Sequence, residues 1–146
     1  MPVRTAEARW QRSLQDGSGT MRLGSGAFEG SYSFKSRMEN GPGTNPEELI
    51  GAAHAGCFSM ALAGQLSKEG HEPQEIRTTA RVHFDKTDQS WSITRIDLAT
   101  EGNVPGIDET SFKRIAEEAK RDCPVSRALA ATPITLSATL KSGVAA

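Results

Sequence analysis

Two cysteines, Cys57 and Cys123, are the residues of this sequence best suited to covalent chemistry. A thiolate is a nucleophile, and it can be oxidised through a sulfenic acid to a disulfide. The first residues, Met1-Pro2-Val3-Arg4-Thr5, lead into no apolar signal segment. A cytoplasmic location with reduced thiols is therefore expected, and reactive cysteines outrank a permanent cross-link. Alone, a cysteine among alanines on an apolar helix also fits an inert small hydrophobe. Its neighbours bear on that choice.

Glu47 precedes Cys57 by ten residues, which on a helix turns it about 80° from the cysteine, whereas Glu48 lies about 180° away. A nearby carboxylate raises a thiol's pKa. Glu47 therefore helps only by holding a cation against the sulfur. Arg37, just before the loop that delivers the helix, is the candidate, with Lys35 its competitor. A guanidinium favours thiolate and can steady the charge that develops on a peroxide oxygen. Cys123 stands before Pro124 at a helix start, where free backbone N–H groups favour a sulfur anion. Whether the two sulfurs meet is left open at this level. His54, three residues before Cys57, fits a satisfied core histidine, a base in a Cys/His arrangement, or a metal ligand. His71 and His83 have no metal-ligand spacing to the cysteines, so neither a metal nor a cofactor is expected.

These residues must be positioned by a mixed set of elements. Ala6, Ala8 and Trp10 alternate with polar residues, the period of a half-buried strand. Asp16-Gly17-Ser18-Gly19 is a turn before a strand at 20–24, and 31–34 reads as a short third strand. Residues 39–45 form a loop. Asn45 then suits an N-cap, Pro46 the first helical position, and Glu48 a capping-box partner. The helix runs to about Glu69, with Gly70 as its C′ residue. It is apolar or small nearly all round from Ile50 to Leu66, so protein should surround it, with a second subunit helping. Strands follow at 75–87 and 90–100, the second with a phase shift at Thr94-Arg95 that fits a bulge. Asp108 caps a helix to about Arg121 with Phe112, Ile115, Ala116 and Ala119 on one face. Pro124 opens a shorter helix through Leu129, and a last strand spans 134–140, with a frayed tail expected after Ser142.

Composition narrows the partners. The 146 residues fit one domain, 1–146, of α+β class. Hydrophobic residues make up 36% and charged residues 24%, which marks a globular chain. The net charge is −1, and Lys113-Arg114 and Lys120-Arg121 are interleaved with Glu109, Glu117, Glu118 and Asp122. That is a solvated helix face, and no nucleic-acid partner is expected. The apolar stretch 49–66 is interrupted by His54, Ser59, Gln65 and glycines, so no membrane partner is expected.

The run from Gly43-Thr44-Asn45-Pro46-Glu47 through His54-Ala55-Gly56-Cys57-Phe58 to Leu62 closely resembles the osmotically inducible protein C (OsmC) family of hydroperoxide peroxidases. The organic hydroperoxide resistance proteins are its neighbouring branch. Val104-Pro105-Gly106-Ile107-Asp108 and Cys123-Pro124-Val125-Ser126 resemble later signatures of the same family, and only 26–32 departs noticeably. The resemblance implies antiparallel sheets wrapped around long central helices in an intertwined homodimer, with active sites at the subunit interface. It implies that Cys57 is peroxidatic and Cys123 resolving, closing a Cys57–Cys123 disulfide, with Arg37 and Glu47 holding the thiolate. Organic hydroperoxides would be the substrates, hydrogen peroxide a poorer one, and an external dithiol the reductant, in oxidative or osmotic stress defence. Phe58, Met60 and Leu62 are expected to offer the apolar wall that favours organic peroxides. Two rivals accompany this expectation: a Cys/His acyl-transfer enzyme using His54 and Cys57, and a non-enzymatic dimeric binding protein with inert cysteines.

Overall fold

The computed structural model describes residues 1–88 and 90–141; Gln89 and the tail from Ser142, where fraying was expected, lie outside the described residues. The chain divides into two compact units, 1–49 and 50–146.

In the first unit, β1 (Ala6–Gln11), β2 (Ser18–Leu23) and β3 (Glu29–Tyr32) form an antiparallel sheet in that order. β3 ends earlier than the expected strand, because the chain turns at Ser33 into a short helix, α1 (Phe34–Met38), that the sequence reading did not anticipate. Ser33 and Ser36 form a reciprocal capping box. The loop after α1 is pinned to it: Ser36 Oγ donates to the Thr44 carbonyl at 2.7 Å, and Asn45 Nδ2 donates to the Ser36 carbonyl at 3.0 Å. Gly43 takes φ +112°, which lets the Thr44 amide donate to the Ser31 carbonyl at 2.9 Å.

The long helix α2 (Pro46–Lys68) starts in this unit and continues through the second. Asn45 caps it, accepting from the Glu48 amide at 2.7 Å. The expected return contact from Glu48 is replaced by another, since its carboxylate accepts from Thr44 Oγ1 at 2.8 Å. Gly70, at φ +86°, closes the helix while the His71 amide returns to the Leu66 carbonyl.

In the second unit, β4 (Glu75–Thr87) and β5 (Ser90–Asn103) pair antiparallel. His83 pairs with Arg95 and Phe84 with Ile93, so Thr94 is the extra residue of a bulge where the phase shift lay. α3 (Glu109–Asp122), capped by Asp108, buries Phe112, Ile115, Ala116 and Ala119 as its periodicity required. α4 (Pro124–Ala128) follows directly, and β6 (Ile134–Leu140) lies parallel to β5. The sheet is therefore mixed, which corrects the expectation of antiparallel sheets. A crossover carrying α3 and α4 returns the chain to the starting end of β5, and that geometry imposes parallel pairing.

The core of this unit gathers Phe58, Leu62 and Leu66 from α2, Ile96 and Leu98 from β5, and the buried face of α3. Each of the larger side chains among them contributes about 1.5–3 kcal/mol by leaving water. α2 nevertheless buries a single stripe, Gly51, His54, Phe58, Leu62 and Leu66, while Ala52, Ala53, Gly56, Met60 and Gly64 face out. Protein on most sides of the helix, as expected above, is thus not what this chain alone supplies. A helix this long and apolar matches a membrane span by composition, but its Phe58-Leu62-Leu66 stripe is core.

Candidate active site

The expected site residues fall into two pairs, one in each unit. In the first unit, α1 carries Arg37 and the opening turn of α2 carries Glu47. The Ser36–Thr44 and Asn45–Ser36 contacts hold these two elements together, so that Arg37 Nε donates to Glu47 Oε1 at 3.1 Å and Nη2 to Oε2 at 2.8 Å. Such a fork-to-fork pair fixes direction as well as distance. Glu47 is buried and Arg37 about one-third exposed. The hydrogen bonds to Glu47 raise the Arg37 pKa first, and attraction to the carboxylate adds to them against an opposing effect of burial. Lys35, the competitor, stays exposed on α1. Arg37 also edges a cleft of about 200 Å³ lined by Trp10, Tyr32, Phe34 and Met38, with the Trp10 and Tyr32 rings 5.2 Å apart.

In the second unit, α2 presents Cys57 to the junction of α3 and α4, where Cys123 ends one helix and opens the next. The Cys123 amide closes α3 on the Ala119 carbonyl at 2.9 Å. Both thiols are free; Cys57 is half-buried and Cys123 fully buried. Their sulfurs lie 3.0 Å apart. About 1 Å of approach separates them from a disulfide bond. The question left open by the sequence is closed: the two sulfurs meet.

Their surroundings treat them unequally. Burial pushes the Cys57 thiol up, the hydrogen bond with Cys123 pushes it further, and the Val125 amide opposes both. For Cys123 burial also works against the anion. The Cys57 hydrogen bond, the Ser126 amide and hydroxyl, and the Val125 amide outweigh it, and its pKa falls. Within this unit the Cys57 thiol is thus shifted away from its ionised form and Cys123 toward it.

His54 is fully buried, three residues before Cys57. Its Nε2 lies 2.8 Å from Ser126 Oγ, and its Nδ1 has no partner among the described residues. Burial holds its pKa below the ordinary imidazole range. Neither ring nitrogen is hydrogen-bonded to Cys57, so His54 is not placed as the base of a Cys/His dyad. Ser126 was missed in sequence, although a hydroxyl one turn after a helix-opening cysteine was the available signal. The expected apolar wall also needs correction. Phe58 and Leu62 are fully buried in the core, whereas Met60 is 78% exposed, because two residues along a helix turn the side chain to the far face. No cluster of three or more metal-ligating side chains occurs among the described residues.

The site thus consists of two free thiols in contact, one on α2 and one at the α3–α4 junction. Residues 39–138 match the family model described as OsmC-like protein. The chain is 49% identical over 137 residues to peroxiredoxin OsmC of Escherichia coli, covering 93% of this chain and 95% of that protein. It is 29% identical over 89 residues to the organic hydroperoxide resistance protein of Xanthomonas axonopodis, covering 60% and 61% of the two chains. In fold it is similar to the organic hydroperoxide resistance protein OhrB of Bacillus subtilis, with a TM-score of 0.71 over 94% of this chain and 98% of that one, at 21% identity. The chain belongs to the OsmC-like protein family.

Proposed function

We propose that the protein is a thiol-dependent peroxidase that reduces organic hydroperoxides to alcohols through Cys57 and Cys123. The observation that carries this is the 3.0 Å contact between two free sulfurs, in a chain similar over nearly its whole length to a peroxiredoxin. Cys57, the more accessible sulfur, attacks the peroxide O–O bond as thiolate; the alkoxide leaves, takes a proton and becomes the alcohol, and Cys57 becomes sulfenic acid. The Cys123 sulfur then attacks the Cys57 sulfur, the S–O bond breaks, and water departs as the disulfide forms. An external dithiol returns both thiols by exchange.

Arg37, held by Glu47, is the cation assigned to Cys57. In the proposed reading the protein is a homodimer. The uncovered face of α2, with Ala52, Ala53, Gly56 and Met60 outward, is the surface such a dimer would bury. The aromatic cleft edged by Arg37 suits the apolar tail of an organic hydroperoxide better than hydrogen peroxide. Within this proposal 1–146 acts as a single domain, with α2 running unbroken from one unit into the other.

Stopped-flow oxidation of the reduced protein by cumene hydroperoxide, with Cys57→Ser as control, is the test. A fast phase absent from the control, followed by an intramolecular 57–123 bridge in the mass spectrum, is the expected result. A phase that persists in the control overturns the assignment, and equal efficiencies for cumene hydroperoxide and hydrogen peroxide overturn the substrate preference.

A further inference from the structure

His54 and Ser126 take no part in that chemistry, yet both are buried, at 0% and 5% exposure. His54 precedes Cys57 by three residues on α2, and Ser126 follows Cys123 by three on α4. Three residues are close to one helical turn, so each polar residue lies one turn from a cysteine. The two helices consequently touch twice along one seam: sulfur to sulfur at 3.0 Å, and His54 Nε2 to Ser126 Oγ at 2.8 Å. The second contact is fully enclosed and joins two neutral groups, since burial disfavours the charged imidazole. A leucine would fill the same core space without leaving Nδ1 unpartnered. What the histidine adds is the bond to Ser126.

We propose that the His54–Ser126 hydrogen bond is a positioning clamp for disulfide closure, holding the start of α4 in register against α2 so that Cys123 stays within bonding reach of oxidised Cys57. The clamp rests on Cys123 being the resolving cysteine. When the Cys57 sulfur carries a hydroxyl, the added oxygen crowds a seam only 3.0 Å wide at the sulfurs. The neighbouring contact, one turn away, keeps the seam from parting. The Ser126 hydroxyl has a second role. It also favours the Cys123 anion. His54 and Ser126 are positioning residues: they act through Cys123 and leave the peroxide to Cys57.

Single-turnover experiments separate the two steps, with peroxide loss reporting Cys57 oxidation and quenched mass spectrometry reporting the disulfide. In His54→Leu and Ser126→Ala, closure should slow roughly tenfold while peroxide loss stays within about twofold of wild type. The slower closure should let more Cys57 reach sulfinic acid at a given peroxide dose. His54→Gln and Ser126→Thr, which keep a donor and a hydroxyl, should restore closure. A merely structural role would slow both steps or respond to neither conservative variant, and either outcome overturns the clamp. So does closure at wild-type speed in Ser126→Ala, which loses a single oxygen and decides the matter alone should His54→Leu fail to fold. Cys123→Ser runs in parallel. If wild type forms no 57–123 disulfide, the resolving role and the clamp fall together; if it does and Ser126→Ala closes normally, only the clamp falls.

Discussion

Replacing Glu47 by glutamine tests whether the Arg37 pair matters for chemistry or only for folding. Glu47 is 7% exposed and accepts two hydrogen bonds from Arg37. Glutamine keeps one acceptor but turns an NH2 toward the guanidinium, so one bond is lost and a donor faces a donor. Hydrogen bonds to charged groups are worth about 1.5–3 kcal/mol. Arg37 is 37% exposed, and solvent screening pulls the figure to the lower end of that range. Loss of a negative charge from the first turn of α2 adds about 0.3–1 kcal/mol. The sum is about 2 kcal/mol, or roughly 4–8 °C in Tm for a chain of this size. Catalytically, releasing the guanidinium should lift the Cys57 pKa and slow its oxidation at neutral pH. Urea melts read the first effect and stopped-flow oxidation the second. A destabilised variant that reacts with peroxide at the wild-type rate would refute the assignment of Arg37 to Cys57. A variant with unchanged stability would refute the energetic accounting of the pair.

Three further outcomes are expected. Gly102→Ala would place its Cβ 2.6 Å from the Phe112 ring, so it should cost about 1–3 kcal/mol by overpacking, read as a lower urea midpoint; unchanged stability would show that the Phe112 ring shifts freely. Cys123→Ala removes two of the three causes that raise the Cys57 pKa, the hydrogen bond and the charge interaction with Cys123, so the thiolate absorbance at 240 nm should titrate at lower pH than in wild type, and a midpoint moving upward contradicts the stated causes. Met60→Glu puts a charge on the uncovered face of α2, where Met60 is 78% exposed. Light scattering should then show monomers with little peroxidase activity, whereas an intact, active dimer would place the interface elsewhere.

The homology to a peroxiredoxin and the two-cysteine contact give the same picture from independent directions. The unequal pKa directions of the two sulfurs add a constraint that neither supplies. Within its own unit Cys57 is shifted away from the reactive form while Cys123 is shifted toward it. In the proposed mechanism Cys57 therefore needs a cation to become thiolate, and Glu47→Gln tests whether Arg37 is that cation.

What could be read in the sequence was local. Asn45, Pro46 and Gly70 marked both ends of α2, and Asp108 marked the start of α3, because caps are satisfied by amides a few residues away. The buried face of α3, the limits of β4 and β6, and the bulge at Thr94 followed from apolar periodicity. Helix α1 was hidden because five residues are too few to show a period, and its Ser33–Ser36 capping box lacks the usual acidic partner. Tertiary structure decided the rest. The sulfur contact joins residues 66 apart, and the His54–Ser126 bond joins residues 72 apart. Both depend on how the crossover through α3 and α4 sets α4 against α2, and the same crossover makes β6 parallel. Local propensity carries no information about register between distant elements; packing of the shared core around Phe58, Phe112 and Cys123 sets it.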